Sequence, residues 1–118
     1  LTAAGREALI QRSKDLGRSI DYLETRADID RNKIAYIGVS MGAALGVILT
    51  AVEDRFKTVV FLDGGFFNEN MLPGTDQADF APRLKAPTLM IGGKYDWVFL
   101  GKDPLFRLLG SPQPTKRW

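Results

Sequence analysis

The chain has 118 residues, with 16 Lys plus Arg against 14 Asp plus Glu, and contains neither cysteine nor histidine. That length buries one hydrophobic core and not two, and a composition of 45% hydrophobic and 25% charged residues belongs to a folded domain rather than a disordered tail. A net charge of +2 with both signs interspersed gives no strong field for nucleic acid or an anionic membrane. The missing cysteine excludes disulfides and thiolate catalysis, and the missing histidine removes the commonest metal ligand and neutral-pH base.

The sequence begins Leu1-Thr2, which reads as an excerpt of a longer polypeptide, and nothing near it pairs a basic region with an apolar one as a signal peptide does. From about Arg6 to Arg26, Leu9, Leu16, Ile20 and Leu23 form the stripe of an amphipathic helix. A polar turn over Asp28–Asn32 leads into Lys33–Val39, a short buried strand, and then a helix from Met41 to about Glu53. The apolar run within that helix is shorter than the roughly 20 residues a bilayer needs, so no membrane span is expected. Lys57–Leu62 reads as a strand apolar enough to be covered on both faces. A long irregular segment, Asp63–Asp79, precedes a third strand, Pro87–Gly92. Pro104–Leu109 suits a short helix with Asp103 as its N-cap, and the tail from Ser111 to Trp118 reads as a turn. This alternation of helices and strands implies one domain built on a parallel α/β sheet.

Gly38-Val39-Ser40-Met41-Gly42 is a G-x-S-x-G motif placed between a strand and a helix, as a nucleophile elbow requires. Such a turn lifts the serine hydroxyl above the strand ends and aims the Met41 N–H, at the helix start, where an oxyanion would form. Gly38 and Gly42 would leave room for the neighbouring chain. The plainer alternative is a glycine-rich turn in which Ser40 only caps the helix. A second element, Ile91-Gly92-Gly93-Lys94-Tyr95-Asp96, puts an acid just past a later strand, at the edge where open α/β sheets bind ligands. Asp63, after the preceding strand, competes for the role of acid, although Gly64-Gly65 behind it reads as a hinge. Asp76, Asp79 and Asp103 suit turns or caps.

On these residues the sequence resembles the α/β-hydrolase family of serine hydrolases. The likeness is to the bacterial branch that groups prolyl-oligopeptidase-type peptidases, dienelactone hydrolases and acetyl esterases, and it runs from Lys14 to the end. It rests on Asp15–Leu23, Asp28-Ile29-Asp30, the Gly38–Gly42 elbow and Ala86–Asp96. The resemblance implies a three-layer parallel-sheet fold of which this chain is the C-terminal half, without the early strands and with the last strand beginning near Trp118. It implies Ser40 as nucleophile, the Met41 N–H as an oxyanion donor and Asp96 as the orienting acid, acting on a small ester or peptide substrate without metal or organic cofactor. The histidine that should follow the acid is not in the chain, so the resemblance places it in the remainder of the polypeptide and implies that the excerpt alone is inactive. Taken at face value, the same absence fits a non-catalytic binding module. Phe66 and Phe67 are candidates for an apolar pocket and equally for core packing, and Trp97 for a neighbouring apolar wall, although an aromatic beside an acid is more often packing. The open sides of the Lys33–Val39 and Pro87–Ile91 strands are expected to be exposed edges.

Overall fold

The computed structural model describes residues 3–66, 74–96, 98, 101–112 and 116–117. Helix α1 (Ala3–Glu24) buries Leu9 and Ile20 and packs Leu16 and Leu23 against the core, following the apolar stripe. A 3₁₀ turn, Arg31–Lys33, is capped by the Asp30 carboxylate, which accepts the Asn32 N–H at 2.9 Å. Strand β1 (Ala35–Val39) follows, then α2 (Met41–Val52), β2 (Thr58–Leu62), α3 (Gln77–Phe80), β3 (Thr88–Ile91), α4 (Lys102–Leu108) and β4 (Lys116–Arg117). The sheet order is β1-β2-β3-β4 with every pairing parallel. This is the parallel α/β architecture expected from the sequence, an α/β-hydrolase-like fold in part. Among the described residues, no helix is long and apolar enough to cross a membrane.

Register fixes what the strand ends present. Val39 lies opposite Leu62, and Leu62 opposite Ile91, so the first three strands finish on one row. Along each strand, alternate residues face opposite sides. Val59, Phe61, Thr88 and Met90 are buried beneath the helices, where the Tyr36 ring meets Phe56 and Phe61 edge-on at 5.5 and 6.3 Å. Each fully buried large side chain here contributes on the order of 2 kcal/mol. The other face carries Ile37, Val39 and Ile91, which are 67%, 60% and 52% exposed. The reading of Lys33–Val39 as a buried strand is therefore corrected; in β2, expected to be covered on both faces, Val59 and Phe61 are buried and Val60 and Leu62 half-buried. Helix α2 packs on β1 and β2, and α1 packs on α2, so the helical cover falls on one side of these strands.

Three boundaries also differ from the sequence reading. The irregular Asp63–Asp79 segment includes the start of α3, because Asp76 caps it by accepting the Ala78 N–H at 2.9 Å. Helix α4 begins at Lys102, not Pro104, with Gly101 in the left-handed region (φ 67°) as its cap; Asp103 sits in the first turn and pairs with Arg107 at 2.8 Å. In the tail, Lys116 and Arg117 pair with Thr88 and Leu89 as a strand rather than a turn. The buried Ser111 hydroxyl explains this course: it lies 2.6 Å from the Ala86 carbonyl and 2.8 Å from Thr88 Oγ1, which draws the chain alongside β3. One of the two expected open edges is thus partly covered.

Arg55, between α2 and β2, fastens α1 to the domain. Its guanidinium reaches Asp21 at 2.7 Å, Glu24 at 3.1 Å, Glu53 at 2.7 Å and the Gly17 carbonyl at 3.2 Å. Its hydrogen bonds hold the Asp21 and Glu53 carboxyls below their ordinary range.

Candidate active site

The ladder between β1 and β2 runs one rung past Val39, where the Ser40 N–H donates to the Leu62 carbonyl at 2.8 Å. The chain then turns into α2, and Ser40 takes φ 53° and ψ −117°. A residue with a side chain holds such a conformation at a cost of about 1–3 kcal/mol, and only where its surroundings over-determine it. Here they do. The Ser40 carbonyl accepts the Ala43 and Ala44 N–H groups, each at 3.0 Å, which commits it to the first turn of α2. A Cβ on Gly38 would run into the Gly42 carbonyl and the Ala43 nitrogen, so the strand end and the helix start touch with no room for a side chain. The Tyr36 hydroxyl donates to the same Gly42 carbonyl at 2.7 Å and ties the turn back to the strand.

Gly42 behaves differently. A Cβ there would meet nothing within 4 Å among the described residues, so the expectation that both elbow glycines leave room for the chain holds only for Gly38. The alternative of Ser40 as a plain cap also loses its support. The residue is exposed and its side chain makes no capping hydrogen bond, although a capping serine turns its oxygen onto the first-turn N–H groups. Met41 follows at the first helical position, where a backbone N–H has no intrahelical acceptor.

On the next rung, the Asp63 N–H donates to the Ile91 carbonyl at 2.7 Å. Asp63 also has positive φ (47°), and its Oδ1 accepts the Gly93 N–H at 2.6 Å. The rival acid therefore has a structural task, fixing the loop that leaves β3. Behind it, Gly64 is not a hinge: it is buried, and a Cβ there would collide with the Ala43 side chain of α2. The Gln77 amide, fully buried, donates to the Gly65 carbonyl at 2.6 Å and the Ala44 carbonyl at 3.2 Å, which locks this loop to the elbow helix.

Asp96 lies past the end of β3, at the edge that carries Ser40. Its N–H donates to the Gly93 carbonyl at 3.1 Å, and its Oδ1 accepts the Val98 N–H at 2.8 Å. Its Oδ2 lies 2.5 Å from Lys102 Nζ, in a pair whose side chains are only 16% and 10% exposed. The ammonium also donates to the Gly93 carbonyl at 3.2 Å. A cleft of about 770 Å³ opens here, lined by Met90, Ile91, Gly93, Lys94, Asp96 and Lys102. Sequence reasoning passed over Lys102, Gln77 and Tyr36; the one available signal was a lysine set within the aromatic and apolar stretch from Trp97 to Phe106.

Of the proposed pocket residues, Phe66 packs against the core and its ring covers Gly101, at the start of α4. Phe67 and Trp97 lie outside the described residues. Arranged this way, the sheet edge presents an exposed hydroxyl on a strained turn, a helix start and a half-enclosed carboxylate, a set suited to acyl transfer.

Among curated proteins there is no match to the chain. The sequence pattern described as BAAT / acyl-CoA thioester hydrolase C terminal matches residues 17–91, which take in α2 with its elbow and all of the first three strands. With well over half of its length matched, the chain belongs to the BAAT / acyl-CoA thioester hydrolase C-terminal family.

Proposed function

We propose that this chain carries the nucleophile and the orienting acid of a serine hydrolase that cleaves acyl thioesters and related esters through an acyl-serine intermediate. The backbone of Ser40 carries the reading. Its φ of 53° and ψ of −117°, with the hydroxyl free of any capping bond, is strain without structural return unless the oxygen is needed above the sheet edge. The family description favours a thioester over the peptide bond that the sequence leaves equally open.

In this reaction Ser40 Oγ attacks the acyl carbonyl carbon while a base takes the hydroxyl proton, and the Met41 N–H faces the developing oxyanion. The carbon–sulfur bond then breaks and the leaving thiolate takes that proton. Water next attacks the acyl-serine ester, releasing the acid and restoring the hydroxyl. Asp96 orients the base and stabilises its charged form. The base, which this reading takes to be a histidine, is supplied by polypeptide outside the present sequence.

The test uses the longer polypeptide, a fluorophosphonate probe and a short-chain acyl thioester. The probe is expected on the peptide containing Ser40, and Ser40→Ala should abolish both labelling and turnover. Labelling elsewhere, or turnover that survives the substitution, would overturn the assignment. The absence of histidine from the chain favours the second reading, a non-catalytic binding module, and saturable thioester binding with neither labelling nor turnover would establish it.

A further inference from the structure

Lys102 is placed against ordinary preference. Its side chain is 10% exposed, although a lysine ammonium normally stays in water, and it stands in the first turn of a helix, the end that does not favour cations. Burying a cation is costly unless a partner is equally well placed. Two partners are: Asp96 Oδ2 at 2.5 Å and the Gly93 carbonyl at 3.2 Å. Gly93 itself is held on its other side, where its N–H is bonded to Asp63. Asp96 is thus gripped from its backbone by Gly93, at Oδ1 by the Val98 N–H and at Oδ2 by Lys102. The carboxylate lies past the end of β3, and the Lys102 cation that pairs with it comes from α4.

We propose that Lys102 is a positioning residue for the hydrolytic reaction, holding the Asp96 carboxylate in the one orientation from which it can direct the catalytic base. The inference rests on the reading of Asp96 as the acid. Lys102 does not touch substrate or reacting atoms; it acts through Asp96. Misplacing a catalytic group by about 1 Å can cost on the order of 10²-fold in rate, and removing the cation takes away the tie at Oδ2 while the Val98 N–H still holds Oδ1. The same pairing explains why a lysine is tolerated at a site where an apolar residue would pack at lower cost.

The experiment uses the longer polypeptide with an activated aryl acetate as substrate. Lys102→Met keeps the apolar stem and removes the charge; Lys102→Arg keeps the charge. The expected result for Lys102→Met, assayed well below its own Tm, is a fall in kcat of roughly 10- to 100-fold with KM nearly unchanged, and Lys102→Arg should recover most of it. Added to Asp96→Asn, Lys102→Met should cost nothing further, because both act through one carboxylate. Should Lys102→Met fail to fold, Lys102→Gln is read in the same cycle. An unchanged kcat in either charge-removing variant, a loss that tracks Tm and is not recovered by arginine, or a loss that multiplies with that of Asp96→Asn would overturn the proposal. If Asp96→Asn alone leaves kcat intact, the assignment of the acid fails and this inference with it. If Asp96→Asn is damaging and Lys102→Met is silent, only the role of Lys102 falls.

Discussion

The two halves of the candidate site are held in place by different physics. At the elbow, steric exclusion does the work. Gly38 meets the Gly42 carbonyl with no space for a methyl group, and the chain between them has few conformations left. At the acid, polar ties do it. Asp63, Gly93, Val98 and Lys102 each make a polar tie within the loop that leaves β3. Steric exclusion is short-ranged and encoded within five consecutive residues. Polar ties join residues that are 30 positions apart, as Asp63 and Gly93 are. A site built this way has one rigid jaw and one adjustable jaw.

The largest expected effect breaks the rigid jaw. Gly38→Ala forces backbone against backbone, and such overpacking should destabilise the domain by about 3 kcal/mol, read as a shifted denaturant midpoint together with lost probe labelling at Ser40. Gly42→Ala is the sharp control. Its Cβ enters open space near the start of a helix, so stability should hold or rise by up to about 1 kcal/mol. Equal damage from the two substitutions would show that the elbow is not confined by contact at Gly38.

A middle-sized effect probes the adjustable jaw. Asp63→Ala loses the bond to Gly93 and places alanine at φ 47°, for a combined cost of about 2 kcal/mol. Asp63→Gly relieves the backbone but not the lost bond and should recover about half, while Asp63→Asn keeps an acceptor oxygen and should be mildest. Chemical denaturation of the three variants ranks them, and an alanine variant as stable as the asparagine one would mean the tie carries no weight.

The smallest effect lies away from both jaws, at the Arg55 clamp on α1. These ion pairs are only half-buried and at the surface, so each contributes modestly, and only while the carboxylates are ionised. Asp21 and Glu53 are held below their ordinary values of 3.8 and 4.5 by Arg55. Their contribution is therefore fully present above those values and is lost as pH falls through the lowered ones. Arg55→Met should lower Tm at pH 7, and the gap to the unmodified chain should close as pH drops below about 4. A gap that persists in acid would assign the effect to packing of the arginine stem.

The difference between the jaws also decides what could be read from the residues. The elbow was legible because its cause is local: strand, glycine, serine and helix follow one another, and the positive φ at Ser40 is what that order demands. Strands 1 to 3 were legible because their apolar runs are bounded by polar turns. The single-sided cover of the sheet was not, because Ile37 and Val39 look the same in sequence whether or not a helix lies over them. The Lys102–Asp96 pair was hidden for a related reason. Nothing in the letters between residues 96 and 102 says that the Lys102 ammonium comes to lie on the Asp96 carboxylate. The strand at Lys116–Arg117 depended on a buried serine, Ser111, whose hydroxyl gives no signal in a turn-like Ser-Pro context.

The strained turn at residue 40 has an evolutionary reading. Glycine would occupy φ 53° with little penalty, and at that position it would relieve on the order of 1 kcal/mol of backbone strain. Under the proposed function, Ser40 is a site where selection for durability and selection for chemistry point in opposite directions. On that reading, a duplicated copy of this domain released from the second pressure would gain stability by losing its hydroxyl first, so glycine at position 40 would mark a descendant that had given up the proposed activity while remaining a well-folded protein.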